Sequence, residues 1–380
     1  MMHAPFSNDE FAGRTKRAQD AMARAGLAAL LLTTEPEVRY FSGFLTRFWE
    51  SPTRPWFVVV PSRGKPIAVI PAIGAPLMAR GWVDDIRTWR APDLDDDGVS
   101  LLIETLNEVA GGGRVGVPMG HETHVRMPMS DYKRVAAQVD LADDGGLISN
   151  LRLVKSEAEI SRVRTACQIA GRAFARVPEI AREGVPLADV FRRFQMLALE
   201  EGADWVPYLA GAAGTFGYDD VISPATDAPL AMGDVLMLDT GLVHEGYFCD
   251  FDRNFSIGKP NAVVRDAHET LIEAVEAAML IAKPGATAAD VFHAMDHVLT
   301  GGAGGSDAGR YGHGLGMQLT EWPSLIPSDQ TVLQEGMILT LEPSVATQDG
   351  RVMVHEENIV IRAEGPEALS PFAARELVVI

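Results

Sequence analysis

Four acidic residues in this chain sit at the edges of strand-like runs, and they come in two matched pairs. Asp239 closes the run Gly233-Asp-Val-Leu-Met-Leu-Asp239 and is followed by Asp250; Glu342 closes Gly336-Met-Ile-Leu-Thr-Leu-Glu342 and is followed by Glu356. In each copy the first acid lies six residues after a glycine. The first acids are 103 positions apart (342 − 239) and the second acids 106 (356 − 250); upstream, Ala188-Asp-Val-Phe191 returns as Ala289-Asp-Val-Phe292 after 101 positions. An offset nearly held over three landmarks points to a duplicated half-domain, with two acid-bearing hairpins facing each other. Four clustered carboxylates repel, and some would have to stay protonated. Two divalent cations balance that charge, and oxygen-rich ligation with one imidazole suits Mn, Fe, Co or Zn. His313, in Gly312-His-Gly-Leu-Gly316, is the natural imidazole, because its glycines let backbone approach closely and leave the ring unobstructed.

The elements that must carry these groups are legible in outline. Residues 8–25 read as a charged amphipathic helix, 27–32 as a buried strand, and 56–61 with 66–70 as a hairpin. A helix over 99–109 and a strand over 113–117 complete an α/β domain spanning 1–150. A second domain, 151–380, opens on Ser156-Glu-Ala-Glu159, a capping box with apolar residues following at helical spacing. Helices near 187–201, 261–282 and 287–299 alternate with strand runs over 235–242, 246–257, 337–345 and 352–362. The expected class is α+β, with antiparallel hairpins holding the acids.

Composition narrows the function classes. The chain has 380 residues and a formal net charge of −19, which repels a phosphate backbone in the absence of a Lys/Arg run, so no nucleic-acid partner is expected. Two cysteines give no disulfide framework, the first residues have no signal-peptide pattern, and no apolar stretch spans a bilayer. The expectation is a cytoplasmic protein without a membrane partner.

Asp239, Asp250, His313 in His-Gly-Leu-Gly, Glu342 in Leu-Glu-Pro and Glu356 in Glu-Glu-Asn follow the order Asp, Asp, His, Glu, Glu. In this the chain resembles the creatinase/prolidase/methionine aminopeptidase ("pita-bread") metallohydrolases. The likeness extends to Arg152-Leu-Val-Lys-Ser-Glu-Ala-Glu-Ile160, similar to that family's linker and first helix, and to the first 150 residues, similar to its creatinase-like N-terminal domain. The resemblance implies a pseudo-symmetric C-terminal fold, a dinuclear centre bridged by Asp250 and Glu356, Asp239 on one ion, and His313 and Glu342 on the other. It also implies a bridging water as nucleophile, Glu342 as proton shuttle, and a homodimer. Thr340, on the same strand face as Glu342, is expected to support Asp239 or Glu342.

Departures from the family pattern bear on the substrate. The peptidases carry a histidine some way before the first Asp, where this chain reads Phe216-Gly-Tyr-Asp-Asp-Val-Ile222; a His-Glu pair, here Thr320-Glu321; and an Arg two residues before the last Glu, here Val354. Tyr218, Asp219, Asp220, Glu321 and Trp322 would then line a remodelled pocket whose acids suit a cationic substrate. In the first domain, Arg47, Trp49 and Arg54 resemble a segment that in creatinase-like dimers reaches the partner's site, where an Arg grips a substrate carboxylate. The reading is a metallohydrolase acting on a C–N bond of a small zwitterionic or cationic compound or a short peptide. The alternatives are an Xaa-Pro dipeptidase or aminopeptidase, a lyase on a small sulfonium or ammonium compound, and a non-catalytic binding module.

Other features have plainer readings. His355 is expected to face away from the ligands, His244 to be a polar turn residue, and Asp252 to pair with Arg253. Asp93-Leu-Asp-Asp-Asp-Gly98 with Glu104 fits a calcium-loop pattern, but Pro92 abuts it and no helix pattern precedes it, so it reads as an acidic loop capping the helix over 99–109.

Overall fold

The computed structural model describes residues 6–50, 55–303 and 309–380; Arg54 lies outside them. The chain divides into two compact units, Met1–Arg152 and Leu153–Ile380.

The first unit runs α1 (Asn8–Ala25), β1 (Ala29–Leu32), α2 (Glu35–Ser42), β2 (Phe57–Pro61), β3 (Ile67–Pro71), α3 (Ala75–Met78), β4 (Asp85–Trp89), α4 (Val99–Ala110), β5 (Val115–Val117), α5 (Met129–Ala136) and β6 (Leu141–Asp143), then enters α6 (Leu147–Leu153). Its sheet has the order β4-β3-β2-β1-β5-β6, antiparallel only along β1–β2–β3. Leu31, Phe57, Val59 and Val69 on one face pack on Leu102 and Leu106 of α4. The acidic loop before α4 spends its carboxylates locally. Asp93 accepts from the Asp95 and Asp96 N–H groups, Asp96 accepts from Ser100 N at 3.0 Å, and Asp97 accepts from the Trp89 indole at 2.8 Å.

In the second unit a helix pair precedes a sheet, twice. The first half is α7 (Glu157–Ala175), α8 (Leu187–Glu200), β7 (Trp205–Gly214), β8 (Val235–His244), β9 (Tyr247–Phe248) and β10 (Phe251–Ser256). The second half is α9 (Ala262–Ile281), α10 (Ala288–Thr300), β11 (His313–Gly314), β12 (Glu321–Ser324), β13 (Ile338–Leu341), β14 (Ser344–Ala346), β15 (Val352–Val354), β16 (Glu357–Arg362), β17 (Gly365–Ala368) and β18 (Val378–Val379). The matched Ala-Asp-Val-Phe strings occupy the first turn of α8 and of α10, each driving a phenylalanine inward. Ser156 and Glu159 form the capping box that starts α7. The sheets have the orders β18-β10-β8-β7 and β12-β11-β13-β16-β17, while β14 and β15 pair separately. On β13, Leu339 and Leu341 join the apolar cluster with Phe292 and Met295 of α10. Strand alternation therefore turns Thr340 and Glu342 to the other face.

The His313 loop lies hard against its neighbours. A Cβ on Gly312 (φ +146°) would fall 2.2 Å from the Thr340 carbonyl oxygen, and one on Gly314 would fall 2.2 Å from that of Trp322. Behind the loop a buried ion pair joins Lys155 Nζ to Glu321 Oε2 at 3.0 Å, and Glu321 Oε1 accepts from Met317 N and Gln318 N. Since the atoms that a Gly314→Ala methyl would meet are backbone, the variant should lose about 3 kcal/mol of stability, read as a lower urea midpoint. A parental midpoint would contradict the tight approach.

Candidate metal centre

The two hairpins deliver their acids to one buried place. Asp239 lies within β8, opposite Ala210 of β7 and Asp252 of β10. Asp250 and Glu356 each precede a strand, β10 and β16, by one residue, and Glu342 follows β13 directly. Single ligand atoms of Asp250, His313 and Glu356 all lie within 4.8 Å of one another. His313 Nε2 is 3.4 Å from Asp250 Oδ2 and 3.9 Å from Glu342 Oε1. The other ring nitrogen, Nδ1, is 2.8 Å from the Gly314 carbonyl oxygen, which can only accept. Nδ1 therefore donates to that carbonyl, and Nε2 is the ring nitrogen that faces the acids.

Several oxygens here have no protein partner. Asp239 Oδ1, Asp250 Oδ1 and Glu356 Oε1 are buried without a hydrogen bond. Burial, then the charges of their neighbours, pushes the Asp239 and Glu356 carboxyls well above their ordinary range. Asp250 rises for the same first reason, partly offset by Arg310. Burial also raises Glu342, with His313 and Arg310 holding it back. Unpaired buried oxygens are costly, and acids gathered beside an imidazole nitrogen are the donor set a divalent cation satisfies. The residues present fit such an ion.

Sequence reasoning missed two residues. Tyr208 donates to Asp239 Oδ2 at 2.9 Å, and its own ionisation is pushed up by burial and by Asp239, so it remains a donor. Arg310, with a third of its side chain exposed, lies 3.3 Å from Glu342 Oε1 and 3.4 Å from Thr320 Oγ1. The signal for Tyr208 was positional. It lies two residues along β7 from Ala210, the residue opposite Asp239, so it reaches that acid on the diagonal.

Other expectations need correction. Thr340 Oγ1 accepts from the His313 backbone N–H at 3.1 Å, so it fixes the histidine rather than Asp239 or Glu342. Tyr218 is fully buried, its hydroxyl donating to Asn254 Oδ1 and accepting from Val354 N at 2.7 Å. Glu321 is committed to Lys155 and two backbone amides. Asp219 pairs with Arg351 at 2.9 Å, and Asp220 accepts from Ile222 N and Ser223 N in its own turn. Trp322 is 38% exposed and donates to Thr331 Oγ1. The acids expected to form a cation-binding rim are thus spent on local partners. Asp252 pairs not with Arg253 but with His355 Nδ1 at 3.2 Å, while Arg253 takes Glu357 at 3.0 Å. His355, expected to face away from the ligands, is buried between Asp252 and Glu357. Burial works against its charge, but the two carboxylates prevail and push its pKa up to about 9. In the first unit, Arg47 lies 3.7 Å from Glu50, and Trp49 packs against Trp56 and under the Arg126 guanidinium.

Comparison with known proteins bears on this geometry. Residues 161–363 match the model of metallopeptidase family M24, and residues 14–154 match that of the creatinase/prolidase N-terminal domain. A protein named probable dipeptidase PepE from Mycobacterium tuberculosis is 29% identical over 99% of this chain and 98% of its own length. A protein named Xaa-Pro dipeptidase from Pyrococcus horikoshii is 31% identical over 61% of this chain and 66% of its own. The crystal structure of dipeptidase PepE from Mycobacterium ulcerans superposes with a TM-score of 0.85 at 26% identity, covering 99% of both chains. Among the described residues no helix is long and apolar enough to cross a membrane.

The raised carboxyls set a pH dependence. Without a cation the fold retains protons that the unfolded chain releases above about pH 4, so these groups destabilise the fold as pH rises. A divalent cation displaces those protons. The gain in melting temperature on adding Mn²⁺ should therefore grow from about pH 5 to 8. A gain that is flat or shrinks over that interval would contradict the placement of the acids.

Proposed function

The chain belongs to metallopeptidase family M24, and on that premise we propose that it hydrolyses the amide bond of short peptides, Xaa-Pro dipeptides first among them, at a centre of two divalent cations. Asp239, Asp250, His313, Glu342 and Glu356 would hold the ions, with Mn, Fe, Co and Zn the candidates. The observation that carries this is the set of unpartnered buried oxygens on Asp239, Asp250 and Glu356 beside His313 Nε2. When bound, the cations supply an acidified water and polarise the scissile carbonyl.

The chain's own groups supply the rest. Glu342 has a side chain one-quarter exposed and a raised carboxyl, so it can take a proton from the attacking water and return it to the leaving nitrogen. Thr340 fixes His313 through its backbone, and Tyr208 fixes one oxygen of Asp239, leaving the other for a cation. Arg310 offers a guanidinium beside Glu342, suited to a substrate carboxylate. With Asp220 and Glu321 committed elsewhere, a peptide with a free carboxylate is favoured over a cationic small molecule or a sulfonium lyase substrate. The same proposal takes the protein as a cytoplasmic homodimer in which Arg47 and Trp49 contribute to substrate binding. It needs neither nucleic acid nor membrane.

Asp250→Ala and Glu356→Ala should each cut Xaa-Pro cleavage by more than the roughly 10–100-fold lost when a residue that only supports a ligand is removed. Elemental analysis should find the variants depleted of metal. Near-parental turnover with metal bound, in either, would refute the dinuclear centre.

A further inference from the structure

Asp250 and Glu356 share a difficulty. Each lies one residue before its strand, where the ladder has not begun: β10 starts pairing at Phe251 and β16 at Glu357. Both are buried, so their backbone groups need other partners. The partners come from the opposite hairpin. Asn358 Oδ1 accepts from Asp250 N at 2.9 Å, and Asn358 Nδ2 donates to the Asp250 carbonyl. Asp252 Oδ1 accepts from Glu356 N at 2.9 Å, and Arg253 donates to the Glu356 carbonyl at 3.2 Å. In each half the residue two beyond the acid grips the backbone of the other half's acid. The gripping residues are 106 positions apart (358 − 252), as are the acids (356 − 250).

Both gripping side chains are held from behind. Asn358 Oδ1 also accepts from the Cys167 thiol at 3.3 Å, and its backbone N–H donates to Ser370 Oγ at 2.9 Å. Asp252 is fixed by His355 Nδ1. Asp252 is 1% exposed and Asn358 is 0% exposed.

We propose that Asp252 and Asn358 are a reciprocal pair of positioning residues that set the separation of Asp250 and Glu356, and with it the affinity of the centre for a divalent cation. The proposal rests on the reading of Asp250 and Glu356 as cation ligands. Neither positioning residue need touch the ion; each acts through the main chain of a ligand from the other half.

Calorimetric titration of the metal-free full chain with Mn²⁺ tests this, with thermal melting of the same samples as a control. Asn358→Ala and Asp252→Ala should each weaken Mn²⁺ binding about 10–100-fold while remaining folded. Asp252→Asn, which keeps an acceptor for Glu356 N, should recover most of that loss. A purely structural role would lower the melting temperature of Asn358→Ala but leave Mn²⁺ affinity within about twofold, and that result overturns the proposal. The two Asp252 variants decide alone if Asn358→Ala does not fold: equal losses in alanine and asparagine would show that the charge of Asp252 matters rather than its grip, overturning the proposal too. Wild-type protein that takes up no Mn²⁺ would instead remove the metal-centre reading, and the proposal with it.

Discussion

Asp239, Asp250, Glu342 and Glu356 crowd one largely buried site, and a fold that gathers like charges must hold them there against their repulsion. The second unit does so by holding the main chain of each acid, with Arg310 the cation beside them. Asp239 is embedded in a strand paired on both sides. Asp250 and Glu356 are clamped across the hairpins, and Glu342 donates its backbone N–H to Tyr311 O at 3.0 Å. The carboxylate oxygens left over have no partner of their own. Retained protons or a bound cation would offset their burial cost, which ties the stability of this region to its occupancy.

Much of this was legible in the sequence because it is local. A glycine six residues before an acid, an apolar run of strand length between them and a second acid in the next strand are features of a single hairpin, and hairpins form from neighbouring residues. The duplicated offset then paired the hairpins without any knowledge of three-dimensional contacts. The creatinase-like first unit and the pita-bread second unit follow from the same run of motifs. What stayed hidden depends on partners far along the chain. Glu321 looks like a pocket acid until Lys155, 166 residues away, is seen to hold it, and the Tyr218 hydroxyl is taken by Val354, 136 residues away. Thr340 was placed on the correct face but assigned the wrong partner, because strand alternation fixes direction and not distance. Tyr208 and Arg310 carried no distinctive spacing at all; only the β7 register and the fold of the His313 loop bring them to the acids.

The acids expected to line a pocket, Asp219, Asp220 and Glu321, each have a partner nearby in space. A carboxylate that already accepts from a backbone amide or pairs with a cation has fewer acceptor sites left for a substrate, and Asp219, Asp220 and Glu321 are in that position. Residue type in a motif position tells what a side chain is able to do. It does not tell whether the surrounding chain has left it free to do so.

The buried pair of Lys155 and Glu321 has a consequence for descent as well as for stability. Losing either partner alone strands the other's charge away from water, a penalty of about 3–5 kcal/mol against a typical domain stability of about 5–15 kcal/mol. An apolar pair there is reached either by changing both positions together or through intermediates of reduced stability. Glu321 is thus carried forward by a ratchet indifferent to what the enzyme cleaves. Thr320, whose hydroxyl accepts from the part-exposed Arg310 at 3.4 Å, stands outside that pair, so a substitution there strands no buried charge.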